Sequence, residues 1–167
     1  MRSAIFYYSL EGNTRTAANQ LAKTLGADMF EIRTVKDYPK RGLAKFFVGG
    51  RDSSFGRLPE LQPLMVDPAS YDVVVLALPM WAGKAAAPMN SFVNGHDFGD
   101  AKVAFMLSSA SGDATSCAND LAAKLNRDPR NVTTLSLKNP GRMMPAELSD
   151  KINDFVRKIR GEAGGAF

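Results

Sequence analysis

Short apolar runs alternate along this chain with segments whose apolar residues recur at helical spacing, and the alternation persists from one end to the other. Five runs read as buried strands: Ala4 to Ser9, Met29 to Val35, Asp72 to Leu78, Val103 to Ser108 and Val132 to Leu137. Between them, Ala17, Leu21, Ala22 and Leu25 form a helical stripe that Gly26 ends. Met89, Phe92 and Val93 make a second stripe, with Pro88 confined to the first turn of its helix because farther in it would remove a needed donor. Cys117, Leu121 and Leu125 make a third, and Leu148, Ile152, Phe155, Val156 and Ile159 a fourth. The connection from Val35 to Asp72 is too long for a bare loop, and Leu43, Phe46 and Phe47 fall at helical offsets inside it. A short basic helix is therefore expected there, followed by an irregular stretch through Pro59, Pro63 and Pro68.

Strands that are apolar throughout and separated by helices predict an α/β fold of three layers, a doubly wound five-stranded parallel sheet covered on both faces. One domain, residues 1–160, is expected, with a Gly-rich tail, 161–167, that frays. In such a sheet ligands bind beyond the carboxyl ends of the strands, where the strand order reverses. The loops after the first, third and fourth strands are thus the ones to read for chemistry.

The first loop is Ser9-Leu10-Glu11-Gly12-Asn13-Thr14, running into a helix. Backbone N–H groups at the helix start make an anion site, to which Ser9, Asn13 and Thr14 add side-chain donors, and Gly12 lets the backbone approach the anion. A phosphate is the natural guest, and a bound dianion would relieve Arg15 of its unfavourable place in the first turn. The alternative is a plain turn capped by Asn13 or Thr14. No Gly-Lys-Ser/Thr follows for a nucleoside triphosphate, and no Gly-x-Gly-x-x-Gly for a dinucleotide. A phosphate-receiver domain is excluded as well, because Leu78-Pro79-Met80-Trp81 stands where it would need a carboxylate.

The second loop, Pro79-Met80-Trp81-Ala82-Gly83, places the chain's one Trp where a ligand cleft should lie; the alternative is an indole that merely covers the sheet end. The third, Ser108-Ser109-Ala110-Ser111-Gly112-Asp113, offers backbone groups to a planar heterocycle, or simply an Asp or Ser helix cap. A phosphate cradle, an aromatic platform and a polar rim together suit a phosphorylated planar cofactor.

In the stretches Tyr8 to Thr14, Tyr71 to Gly83 and Lys102 to Asp113, in that order, the chain resembles the flavodoxin-like family over its whole length. The resemblance implies strand order 2-1-3-4-5 and bound FMN. Ser9, Leu10, Glu11, Gly12, Asn13 and Thr14 would hold its phosphate, Pro79, Met80, Trp81, Ala82 and Gly83 would flank its ring, and Ser109, Ala110, Ser111, Gly112 and Asp113 would line the other side. It also implies that Gly83 lets a peptide beside the ring reorient. The flavin carries the redox chemistry, so no side chain is assigned as acid, base or nucleophile.

The implied function is an FMN-binding oxidoreductase that transfers electrons. Its partner is either a redox protein or NAD(P)H with a quinone, the latter making it an NAD(P)H-dependent quinone reductase. A module of the same fold that has lost its cofactor and only binds protein is the third possibility. Here charge changes the picture. The chain carries a formal +4, and between Lys36 and Arg57 six basic residues (Lys36, Lys40, Arg41, Lys45, Arg51, Arg57) face two acids, Asp37 and Asp52. This region therefore holds the whole excess, which suits an acidic partner or pyridine-nucleotide phosphates. A positive surface also favours an anionic reduced flavin, raising its potential relative to strongly acidic carriers. The third loop lacks an aromatic to cover the outer ring face; the segment with Phe46, Phe47 and Phe55, or a partner subunit, could close it.

Other features exclude classes. The basic stretch has no nucleic-acid recognition motif beside it. The opening Met-Arg-Ser-Ala-Ile-Phe-Tyr-Tyr has no basic flank before a long apolar stretch, and no run reaches the length of a membrane span. A cytoplasmic protein is expected, and the single Cys117, which has no intrachain partner, fits a reducing compartment. The single His96 reads as a surface residue, Cys117 as packing on a helix face, and no cluster of metal ligands is present.

Overall fold

The computed structural model describes residues 1–40 and 43–162, apart from the side chain of Phe46. Arg41 and residues 163–167 of the expected tail lie outside them. The chain runs β1 (Ser3–Tyr7), α1 (Asn13–Leu25), β2 (Asp28–Glu31), α2 (Ala44–Ser54), β3 (Val73–Trp81), β4 (Lys84–Ala85), α3 (Ala87–Gly95), β5 (Lys102–Ser109), α4 (Thr115–Lys124), β6 (Thr133–Lys138) and α5 (Pro145–Arg160). Strands β2-β1-β3-β5-β6 lie side by side in that order, every neighbouring pair parallel. Counted among the parallel strands alone, this is the expected order 2-1-3-4-5.

Alternation along the strands divides the core in two. Ala4, Phe6, Leu76, Leu78, Phe105 and Leu107 face Met89 and Phe92 of α3 and Cys117 and Leu121 of α4. Ile5, Tyr7, Val75, Ala77, Ala104 and Met106 face Ala17, Ala18 and Leu21 of α1 and Ile152, Phe155 and Ile159 of α5. Pro88 occupies the first turn of α3, where its missing N–H costs nothing. No helix among the described residues is long and apolar enough to cross a membrane.

Two boundaries differ from expectation. β3 does not stop at Leu78 but continues to Trp81 and folds back as β4, pairing Met80 with Ala85 and Trp81 with Lys84. The sheet thus gains a sixth, antiparallel strand. Pro79 pairs with Ser108 beyond the last β1–β3 pair at Ala77, where the sheet narrows and a missing N–H is tolerated. β2 is shorter than Met29 to Val35: after Glu31 the chain leaves the sheet, and Thr34 bridges Leu61 in antiparallel fashion.

Phe92 is the keystone of the first core half. It stacks on Phe6 at 4.9 Å and meets Phe98 edge-on at 5.9 Å. Replacing it by Ala should lower the unfolding free energy by about 3–5 kcal/mol in urea titration. A loss under about 1 kcal/mol would show that the cluster closes over the gap.

Candidate functional site

The first loop leaves β1 with the Tyr8 amide still bonded to the Ala77 carbonyl at 3.0 Å. It then closes on one hydroxyl: Ser9 Oγ accepts from the amides of Gly12 (3.1 Å) and Arg15 (3.2 Å). Gly12 sits at the N-cap with φ +97°, a left-handed conformation that a side chain strongly disfavours, and having no side chain it caps nothing itself. The cap alternative for Asn13 or Thr14 is therefore not what the structure adopts. Thr16 makes the first helical bond, to Gly12, and this leaves the amides of Asn13 and Thr14 ahead of it at the positive end of α1.

The side chains around this cradle are engaged differently from expectation. Thr14 is buried, and its hydroxyl is shared with Ser108 on β5 at 3.0 Å, so it fastens the loop to the sheet. Arg15 needs no bound dianion to offset the dipole, because it pairs with Glu31 at the end of β2. Arg33 reaches the same carboxylate at 2.6 Å. Burial works against the Glu31 charge, but hydrogen bonds from Arg33 and Arg15 outweigh it and hold the carboxyl below its usual range. Glu11 accepts from Lys45 of α2 at 2.5 Å, so the loop's own carboxylate is partnered. An open helix start, a glycine cap and a neutralised carboxylate make a donor set that suits a phosphate.

The second loop is a tight hairpin. Ala82 (φ +50°) and Gly83 (φ +75°) both take positive φ, as a two-residue turn of this kind requires, and Ala82 does so against the steric cost of its Cβ. Both residues are exposed. Trp81 does not stand as an open shelf. A Cβ on Gly49 of α2 would lie 3.1 Å from the indole, so the helix backbone rests on the ring. Tyr8 meets the indole edge-on at 5.6 Å and Tyr38 lies at 5.0 Å. The Tyr38 hydroxyl donates to Asp52 at 2.9 Å, and Arg51 and Arg57 converge on that carboxylate. Burial pushes both phenols above their ordinary range, and for Tyr38 the bond to Asp52 adds to this, so both remain protonated donors.

In the third loop, Ser109 Oγ accepts from the Gly112 amide at 2.9 Å, and Asp113 accepts from the Thr115 amide at 3.0 Å, capping α4. Ala110 and Ser111 remain exposed. Among the described residues the first and third loops border separate cavities. The first lines a cavity of about 740 Å³ whose other wall runs from Glu31 to Lys40, with Tyr8 and Tyr38 at its side. The third borders a separate one of about 570 Å³ with Lys138, Arg142 and Lys151. Neither includes Trp81, which α2 covers. Phe47 and Phe55 are turned to solvent and close no ring site.

Tyr38, Gly49 and Asp52 were not among the residues expected here. The Gly49-Gly50 pair inside a helical run is the signal that could have marked a close approach. His96 bonds Phe92 O through Nδ1 at 2.9 Å and packs on its ring, a structural role. Among the described residues no group of His, Cys, Asp and Glu could hold a metal.

A doubly wound parallel sheet whose first strand ends in a left-handed glycine turn at a helix start defines a class of fold whose ligand crevice lies at the switch point. Comparison makes the class specific: the model of the family described as Flavodoxin matches residues 2–159, and the chain belongs to the flavodoxin family. Solved structures share the fold. A provisionally assigned flavoprotein of Bacteroides eggerthii is 21% identical, with TM-score 0.72, over 92% of this chain and 97% of that one. A Lactobacillus acidophilus flavoprotein solved in complex with FMN is 20% identical, with TM-score 0.62, over 82% and 91%. The flavodoxin of Streptococcus pneumonia is 11% identical, with TM-score 0.56, over 98% and 100%. No curated protein matches the chain.

Two measurements check this geometry. Gly49→Ala should lift α2 from the indole and shift the emission of the only Trp to the red; an unmoved spectrum would show that the contact is slack. Burial pushes the Cys117 thiol up to about 11 from an ordinary 9.0. The native state therefore holds this proton more tightly, and the resulting stability is complete below pH 9.0 and lost as pH rises towards about 11. The stability gap between wild type and Cys117→Ala in urea should narrow across that window; a constant gap would refute the assignment.

Proposed function

We propose that this chain binds FMN at the carboxyl edge of its sheet and transfers electrons through it. The observation that carries the reading is the start of α1 behind a left-handed Gly12, where the amides of Asn13 and Thr14 precede the first helical bond. Family membership supports it, as does the FMN held by the Lactobacillus acidophilus protein of the same fold. The amides of Asn13 and Thr14, with the Asn13 side chain, would hold the phosphate, while Ser9 keeps the loop closed around it. The Thr14–Ser108 bond fixes this cradle to β5, so its distance from the third loop is set by the sheet. Pro79, Met80, Trp81 and the exposed Ala82-Gly83 peptide would flank the ring on one side, and Ser109, Ala110, Ser111, Gly112 and Asp113 on the other. When bound, the flavin supplies the redox chemistry. We place this activity in the cytoplasm, which an unbridged Cys117 suits.

One observation favours a second reading, an NAD(P)H-dependent quinone reductase. The cavity beside Ser111 and Gly112 carries Lys138, Arg142 and Lys151 against one carboxylate, Glu147, an excess of cations suited to pyridine-nucleotide phosphates, and Phe47 of α2 is turned to solvent. Steady-state oxidation of NADPH or NADH with a benzoquinone separates the two. Turnover selects the reductase, and its absence with both nucleotides removes it.

The absorption spectrum of the purified protein, before and after incubation with FMN, tests the main reading. Flavin bands that stay with the protein on gel filtration are expected; a colourless protein that takes up no FMN would leave a protein-binding module. Gly12→Val, which forces a β-branched residue into the left-handed region, should weaken FMN binding by about tenfold or more in a flavin fluorescence titration. Unchanged affinity would show that the loop is not the anchor.

A further inference from the structure

Among its described side chains, helix α2 turns small and polar groups to the protein and apolar ones to solvent. Towards the protein it presents Gly49, the buried Ser53, whose hydroxyl has no partner among the described residues, and Asp52, whose side chain is 14% exposed. Towards solvent it presents Leu43 (72% exposed), Phe47 (72%) and, at its C-cap, Phe55 (76%), with Arg51 between them at the same four-residue interval. Leu58, 53% exposed, extends the stripe. A solitary helix facing its own core would reverse this distribution. The four apolar side chains offer on the order of 500 Å², the share each side contributes to a small redox encounter.

We infer that the outer face of α2, from Leu43 to Leu58, is the docking surface for an acidic redox protein. Charge identifies the occupant. Around this face Lys36, Lys40, Arg51 and Arg57 outnumber Asp37 and Asp52, while Lys45 turns to Glu11, so a partner meets a net positive field and a second copy would meet its own sign. Composition distinguishes a protein from a lipid surface: within the stripe the cations are Arg51 and Arg57, both tied to Asp52, whereas Lys36 and Lys40 lie outside it. Fixed arginines among phenylalanine and leucine are the make-up of a protein interface core. Position supplies the purpose, because Gly49 on the inner side of the same helix rests on Trp81, one helix diameter of about 10 Å away from the stripe. The partner's redox character rests on the electron-transfer reading above; the docking surface does not.

The test uses a purified acidic ferredoxin as the probe and calorimetric titration against the FMN-treated protein, whether or not it retains flavin. Far-UV circular dichroism confirms that each variant folds. Binding that weakens by about tenfold or more in Phe47→Ser/Phe55→Ser, and similarly in Lys36→Glu/Lys40→Glu or at high salt, is the expected result. Absence of ferredoxin binding, or binding indifferent to both variants, would overturn the inference. So would phosphatidylglycerol vesicles binding in place of ferredoxin and releasing the Phe47→Ser/Phe55→Ser protein, or a dimer in sedimentation that this variant dissolves. Because binding is read without electron transfer, failure here is distinct from failure to bind FMN.

Discussion

The double pairing of β1 governs the rest. Its residues bond β2 on one side, Ala4 to Asp28 through Tyr7 to Glu31, and β3 on the other, Ser3 to Val73 through Tyr7 to Ala77. A strand buried on both edges and both faces has nowhere to send its chain except over the carboxyl end, where α1 must turn down one face while the chain from β3 turns down the other through α3. The connections diverge, and the gap between them is where backbone amides can meet a ligand. The Thr14–Ser108 bond then ties the start of α1 to β5, so the cradle inherits the rigidity of the sheet rather than the mobility of a loop.

The elements that could be read from the sequence are those whose period is set by burial on both sides of that sheet. Val73 to Leu78 and Val103 to Leu107 are apolar throughout because both their faces are covered, and α5 shows its stripe because only one of its faces is. Pro79 concealed the end of β3: a residue that cannot donate reads as a stop, yet at the margin of a sheet the missing N–H is not needed. The antiparallel β4, two residues long, has no periodicity to show.

The site was legible as loops but not as a set of contacts. Thr14 looked like a donor for the ligand because its type and place fit that role, while its true partner, Ser108, is 94 residues away and has no local signature. α2 was found from Leu43, Phe46 and Phe47 as though they formed a buried stripe, but Leu43 and Phe47 are exposed, and the described residues on the inward side include Gly49, Asp52 and Ser53. The period was right and the direction was not. Direction comes from Trp81, whose flat ring accepts a glycine backbone and excludes a larger residue.

Charge shows the same divergence between a count and a place. The sequence total puts an excess of four positive charges near the presumed ligand, yet the cavity beside the cradle is lined by Arg15, Arg33 and Lys40 against Glu11, Glu31 and Asp37. Cations and carboxylates balance there, and Glu31 answers two guanidiniums by itself. A charged ligand in the cradle would feel local pairs rather than the formal sum, since at the surface more distant charges are screened within about 10 Å at ordinary salt. The excess that remains lies outside that cavity, with the exposed Lys36 and with Arg51 and Arg57, which exceed Asp52 on the outer side of α2. Its physical consequence belongs to what approaches the protein more than to what the protein holds.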